Sequence, residues 1–222
     1  MIKIKLIYFF VFILCFGTSF GKYNFCGQGS YLNFFGKTEL SHFGGGLKLE
    51  YEYNDWAVFY GSGNYFAKQD YTAVVEAEAF ADGTRPYLVD IPVPSSVFFI
   101  QAAAGLRVYF YGEVNPIKKG AIGLYGIGEF SLLIGTSDSQ VNPGPEYDDY
   151  NVPFTGQVKG SFWNYTGSLG VGAEKQIGRP FVFVESKFNA KIDEANAFSV
   201  STKVPFGLSY FIGLRIPLSA YD

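Results

Sequence analysis

From Lys22 onward the chain alternates apolar residues with small or polar ones, in segments of about ten to sixteen residues bounded by Gly, Pro, Asn and Asp. Eight such segments predict eight β-strands: Tyr23 to Phe35, Phe43 to Tyr53, Trp56 to Gln69, Val97 to Tyr111, Ala121 to Ile134, Val158 to Lys175, Phe181 to Ile192, and Pro205 to Leu218. In the fourth, Phe98, Ile100, Ala102, Ala104, Leu106, Val108 and Phe110 form one face, with Gln101, Gly105, Arg107 and Tyr109 on the other. The eighth sets Leu208, Tyr210, Ile212, Leu214, Ile216 and Leu218 against Gly207, Ser209, Gly213 and Arg215. The seventh sets Val182, Val184, Phe188 and Ala190 against Glu185, Lys187, Asn189 and Lys191, and the second sets Leu47, Leu49, Tyr51 and Tyr53 against Lys48, Glu50 and Glu52. A helix would wind charges at every second position around its whole circumference and leave no apolar stripe, so the period excludes helices. The third segment is irregular: Trp56, Val58 and Tyr60 predict one outward parity, Tyr65 and Ala67 the other, with a bulge near Gly61-Ser62-Gly63 as the natural place for a switch.

Composition says which way the apolar faces point. Aromatic residues make up 19% of the 222-residue chain and charged residues 17%. After the leader, no apolar run approaches the about eighteen residues of a membrane-spanning helix. An all-β, eight-stranded antiparallel up-and-down transmembrane β-barrel satisfies both facts, because alternate side chains meet lipid and lumen. A soluble β-sandwich also has period-two strands, but it would turn the charged faces outward and the aromatics inward. Connection lengths favour the barrel. Asn54-Asp55, Gly112 to Gly120 and Gln176 to Pro180 are short, whereas Asp70 to Ser96 and Gly135 to Gln157 are long, with Asp193 to Val204 intermediate and Gly36 to His42 a short exception. Aromatics near strand ends predict two girdles, one from Tyr51, Tyr53, Trp56, Tyr109, Tyr111 and Phe181, the other from Phe34, Phe43, Tyr65, Phe98, Trp163 and Tyr165.

The N-terminus adds an address. Lys3 and Lys5 precede an apolar run from Leu6 to Phe16, and Gly17-Thr18-Ser19-Phe20-Gly21 puts small residues at the −3 and −1 positions of a cut after Gly21. Residues 1–21 therefore read as a cleaved signal peptide and 22–222 as the barrel domain. The run is too short for a spanning anchor, and neither Leu14 before Cys15 nor Phe25 before Cys26 fits a lipoprotein leader. The formal charge of −3 becomes −5 once the two leader lysines are removed, which offers no field for nucleic acid. Only Cys26 then remains, so no internal disulfide or cysteine-based zinc site can form.

Eight strands enclose a bore just wide enough for side chains to fill. The inward candidates Glu50, Glu52, Arg107, Glu129, Glu174, Glu185, Lys187 and Arg215 are mixed in sign and are expected to pair, since unpaired charges there are costly. The sharper alternative is a narrow ion or proton path. His42, beside Ser41 and near Glu39, is the single histidine and is expected as a solvated residue at the outer rim. The long connections carry Glu76, Glu78, Asp82 and Asp90, and Asp138, Glu146, Asp148 and Asp149; carboxylates bind Ca²⁺, but solvated acidic loops are the simpler reading. Tyr147 and Tyr150 lie among them and suit a protein or glycan contact. No phosphate-binding glycine loop or metal-ligand cluster is evident, and no cofactor is expected.

The leader, the eight segments and the closing Tyr210-Phe211-Ile212-Gly213-Leu214-Arg215-Ile216-Pro217-Leu218 resemble the outer-membrane β-barrel domain family, which is related to the transmembrane part of outer-membrane protein A and to outer-membrane protein X. Low-charge, Phe/Tyr/Gly-rich versions are the porin family proteins of Bacteroidetes-like bacteria. The resemblance implies a Gram-negative outer membrane, contact with its lipid and lipopolysaccharide, and recognition of the last strand by the barrel-insertion machinery. Gly213, Ile216 and Leu218 match that assembly signal, although Pro217 and the four residues after Leu218 depart from it. The expected function is a non-enzymatic structural or surface-interaction barrel with long loops outside, any extracellular ligand at those loops, and both mature termini periplasmic. A narrow pore and a lipid-modifying enzyme are the alternatives; the His and Ser that lipid A deacylase barrels carry in a later strand are missing here.

Overall fold

The computed structural model describes residues 22–35, 40–81, 83, 86–114, 120–153, 155–195 and 206–218. The expected signal peptide lies outside the described residues. Eight long strands form the wall: β1 (Lys22–Phe35), β2 (Leu40–Asn54), β3 (Ala57–Ala79), β4 (Leu88–Tyr111), β5 (Ile122–Val141), β7 (Gly156–Gln176), β8 (Phe181–Ala195) and β9 (Phe206–Pro217). A two-residue strand, β6 (Tyr150–Asn151), follows a single 3-10 turn at Pro145–Tyr147. Each long strand pairs antiparallel with its neighbours, and β1 pairs with both β2 and β9, so the sheet closes on itself and leaves no edge in the wall.

The wall has the predicted parity. Phe110, Ile100, Leu47, Leu169, Ile212 and Leu214 are exposed on the outside, while Lys48, Glu50, Arg107, Glu185, Lys187 and Arg215 are buried within. This inverts a soluble protein, and only an apolar surround makes it favourable. The outer face of β4 runs from Phe98 to Phe110; at about 3.3 Å per residue and a tilt of about 40° this is a band about 30 Å tall, the thickness of a bilayer core. Tyr53, Trp56 and Tyr111 ring one end and Phe43, Tyr65 and Trp163 the other. Three residues expected in the girdles face inward instead: Phe34, Tyr109 and Phe181 are buried, because their strand parity sends them to the lumen.

The third segment needs correction. Val58 and Tyr60 are buried in the lumen, and the register with β2 runs without a break through Gly61, Ser62 and Gly63. The bulge lies further on, where Phe66 pairs with Phe99 but Gln69 already pairs with Val97. One extra residue at Ala67-Lys68 flips the parity, so Ala73, Val75 and Ala77 continue the inner face that Tyr60, Asn64 and Phe66 began.

The long connections also differ from expectation. Most of Asp70 to Ser96 is strand: β3 and β4 stay paired out to Glu78 and Leu88, and β5 and β7 stay paired out to Val141 and Gly156. A sheet of β3, β4, β5 and β7 therefore projects beyond the bilayer band. Its inner face carries Ala73, Val75, Ala77, Ile91, Val93 and Val141, and the β5–β7 connection covers it with Tyr150, Tyr147 and Val152. Charge alone suggests a loop here, but a strand with one wet face also alternates charged with apolar residues.

Two outcomes test this architecture. Boiling is expected to change the gel mobility of the membrane-extracted protein, as closed barrels do. Ala104→Arg, on the lipid face midway along β4, is expected to lose about 2–4 kcal/mol of stability in phosphatidylcholine vesicles. Unchanged stability in that variant would mean that this face meets water.

Candidate functional site

The lumen is stratified. At the end where short turns join β2 to β3, β4 to β5 and β7 to β8, five carboxylates and four cations are packed together: Glu50, Glu52, Glu129, Glu174 and Glu185 with Lys48, Arg107, Lys187 and Arg215. Arg107 is the hub. Its Nη2 donates to Glu50 at 2.6 Å and to Glu185 at 3.0 Å, and its Nη1 to Tyr109 Oη at 3.2 Å and to Glu174 at 3.5 Å. Lys48 Nζ holds both Glu185 oxygens at 2.9 and 3.0 Å. Lys187 Nζ meets Glu129 at 2.6 Å, Arg215 Nη2 meets Glu174 at 2.5 Å, and Asn24 Nδ2 donates to Glu52 at 2.7 Å. All eight residues predicted for the lumen are buried and paired. Lys48 shares their parity and belongs with them, although the sequence marks it only as part of the polar face of β2.

Each cation also lies over an aromatic ring. Arg215 Cζ is 3.9 Å from the Phe181 centroid, Arg107 Cζ 4.3 Å from Tyr125, Lys187 Nζ 4.4 Å from Phe211, and Lys48 Nζ 4.8 Å from both Tyr60 and Phe183. Desolvated contacts of this kind contribute about 2 kcal/mol each. The rings fit because inward glycines leave room for them. A Cβ on Gly172 would collide with the Tyr125 ring, one on Gly105 would fall 2.5 Å from Tyr60, and one on Gly213 2.6 Å from Phe183. Gly213, expected in the assembly signal, thus has a packing role in the folded barrel, while Ile216 and Leu218 are exposed on the lipid face at the end of β9. Below the ions Val114, just after β4, is turned inward: buried, it donates its amide to Asp55 O at 3.0 Å, and its carbonyl accepts from Arg215 Nη2 at 2.8 Å.

Above the ions lies a neutral belt. Gln28 Nε2 donates to Asn64 at 2.7 Å, Asn64 Nδ2 to Gln101 at 3.2 Å, and Gln101 Nε2 to Ser131 at 3.1 Å. On the facing wall Ser168 and Asn189 bond at 2.7 Å and Asn189 and Ser209 at 3.1 Å. Above the belt Leu32, Phe34, Phe66, Val97, Phe99, Leu133 and Phe162 pack together as a buried apolar plug.

His42 belongs to that plug. It is fully buried, edge-on to Phe99 at 4.5 Å between centroids, with Nδ1 3.3 Å from Ala67 O. The expected solvated rim histidine is therefore corrected: even positions of β2 face the lumen, and the sequence does not show how far the wall rises above it. Ser41 points to the outer face and bonds to Tyr31 and Asn33, so it forms no pair with His42. Tyr150, expected as a contact residue, is buried and donates to Pro86 O at 3.0 Å. Among the described residues no group of three or more His, Cys, Asp or Glu is placed to hold a metal ion.

Removing the hub takes from buried Glu50 its bonded cation and leaves Glu174 to Arg215 and Glu185 to Lys48 and Lys187. Arg107→Ala is expected to cost about 3–5 kcal/mol in denaturant unfolding from vesicles. Gly172→Val, which drives a side chain into Tyr125, is expected to destabilise by at least about 1–3 kcal/mol. A loss below about 1 kcal/mol for Arg107→Ala would show that the ions are solvated.

No protein-family model and no curated protein matches the sequence. Solved structures match in fold. A major outer membrane protein from Thermus thermophilus aligns with TM-score 0.51 at 10% identity, over 89% of this chain and 99% of that one. Neisserial surface protein A aligns with TM-score 0.45 at 10% identity (87% and 96% of the two chains). The attachment invasion locus protein Ail of Yersinia pestis aligns with TM-score 0.43 at 12% identity (88% and 97%). With the closed antiparallel wall, the apolar exterior and the charged interior, the chain has the fold of the outer-membrane β-barrels.

Proposed function

We propose that this protein is an integral barrel of a Gram-negative outer membrane whose lumen is sealed and whose role, non-enzymatic, is to display the projecting sheet at the cell surface. The observation that carries this reading is the pair of side-chain layers inside the wall, the paired ions at one end and the Phe34, Phe66, Phe99 and Phe162 cluster at the other, which supports a closed bore. A solute path would have to break both. The strand ends at Lys22 and Pro217 lie at the same end of the barrel as the short turns, and the projecting sheet rises from the other, which supports termini in the periplasm and the sheet outside. Contact with lipid and lipopolysaccharide falls to the outer belt. Ile216 and Leu218, lipid-facing at the end of β9, suit recognition by the insertion machinery.

The narrow-pore reading has the charged lumen in its favour, but a conducting path needs an open bore, and the side-chain belt and the aromatic cluster above it speak against one. The lipid-modifying reading has only His42, walled in by aromatic rings and without a serine partner. Purified protein in planar bilayers is expected to give no stable unitary conductance at moderate voltage. Reproducible single-channel steps that vanish on heat denaturation would contradict the sealed barrel. His42→Ala is expected to leave lipid A composition unchanged, and a shift in acyl-chain pattern on that substitution would revive the enzyme.

A further inference from the structure

The barrel wall has no edge, but the projecting sheet does. β2 leaves β3 at the Gly44–Phe66 pair, and beyond it β3 continues to Ala79 with β4 on one side only. Past Ala67, whose carbonyl lies 3.3 Å from His42 Nδ1, no strand among the described residues pairs with its other side as far as Ala77. Such an edge presents a row of backbone donors and acceptors ready for another strand. The molecule already uses it once, since β6 adds antiparallel to the same edge at Glu78 and Ala79.

The surroundings are acidic. Residues 67–96 and 135–159 hold nine Asp and Glu against Lys68, Arg85 and Lys159, the last of them paired with Asp138, a balance of −6 where the whole chain carries only −3. Along the open edge Asp70 and Glu76 are exposed, with Glu78 exposed just past it where β6 pairs, and Glu76 sits directly opposite Asp90, a cross-strand like-charge pair that costs stability. Beside them Phe80, Tyr87 and Leu88 are exposed at the tip, 71%, 48% and 46% accessible. Acidic repulsion of this kind is relieved by positive charge, and the apolar tip favours a partner with apolar side chains as well.

We propose that the open edge of β3 from Ala67 to Ala77 is a docking strand for a basic, amphipathic polypeptide segment, which adds to the sheet as an extended strand. Backbone bonds supply the affinity, while Asp70, Glu76 and Glu78 select lysine and arginine. The assignment deepens the surface-display reading and rests on it. A barrel that neither conducts nor binds such a peptide leaves that reading standing and overturns this one.

The test uses the mature chain in phosphatidylcholine nanodiscs free of lipopolysaccharide. The probe is a fluorescent peptide of about ten residues alternating Lys and Val, with two controls, one with Glu for Lys and one with Pro at alternate Val positions. The Lys–Val peptide is expected to bind and to slow amide exchange within 67–77. The Glu control and the Pro control are each expected to bind at least about tenfold more weakly, as is Lys–Val binding to the E76K/E78K variant. Glu76→Gln, which removes the repulsion from Asp90 without reversing charge, is expected to fold at least as stably as the parent and to bind less, so the reading survives should the double reversal not fold. Equal binding of the Pro control would reduce the site to an unspecific acidic field. Edge protection in the absence of peptide that grows with protein concentration would assign the edge to a second copy of this chain. Either result, or binding indifferent to both substitutions, overturns the proposal.

Discussion

The Arg107 guanidinium is the constraint from which the rest of the barrel follows. From β4 it reaches Glu50 on β2, Glu174 on β7 and Glu185 on β8, and it lies over Tyr125 on β5. Five strands, of which only β5 is hydrogen-bonded to β4 in the sheet, are thus tied to a common centre. In a dry interior such contacts are strong only when geometry satisfies most donors and acceptors, so the network fixes the radius and register of the wall as well as its stability. Lys48 and Lys187 extend it through Glu185 and Glu129, and Arg215 ties its lower rim to the β4–β5 turn.

The same centre explains the unusual composition. Four cations in a narrow bore need aromatic faces as well as carboxylates around them, and the rings need glycines opposite them on adjacent strands. Phe, Tyr and Gly are therefore abundant on the inside as well as in the lipid girdles. Cys26, packed with Phe183 and Phe211, fits this scheme as a small buried side chain.

The period of two makes the wall legible in sequence: the facing of β2, β4, β8 and β9 and all eight named lumen charges follow from parity alone. What it hides are features that parity does not encode. The bulge at Ala67-Lys68 has no glycine signature, and the glycines at 61 and 63, which invite one, are regular lipid-facing positions. Where the wall stops is equally hidden, because the extension of β3 and β4 alternates like the membrane part but with charges outside in place of aliphatics. That is why the sequence points to solvent for His42 and to a contact surface for Tyr150, when both are covered by structure that rises beyond the bilayer. The aromatics at Phe34, Tyr109 and Phe181 show the same limit: proximity to a strand end suggests a girdle, but parity decides.

A sealed, ion-clamped lumen is the central claim, and a chain begun at Lys22 carries its own probe, since Cys26 is the single thiol from there on and lies fully buried against Phe183 and Phe211. Labelling of the folded barrel in vesicles with a charged methanethiosulfonate, read by mass, tests it most directly. The expected result is no modification of the native protein over hours and stoichiometric modification after denaturation. Labelling of the native form at the rate of an exposed thiol would mean that water and ions pass through the bore, and the account of a closed barrel would be wrong.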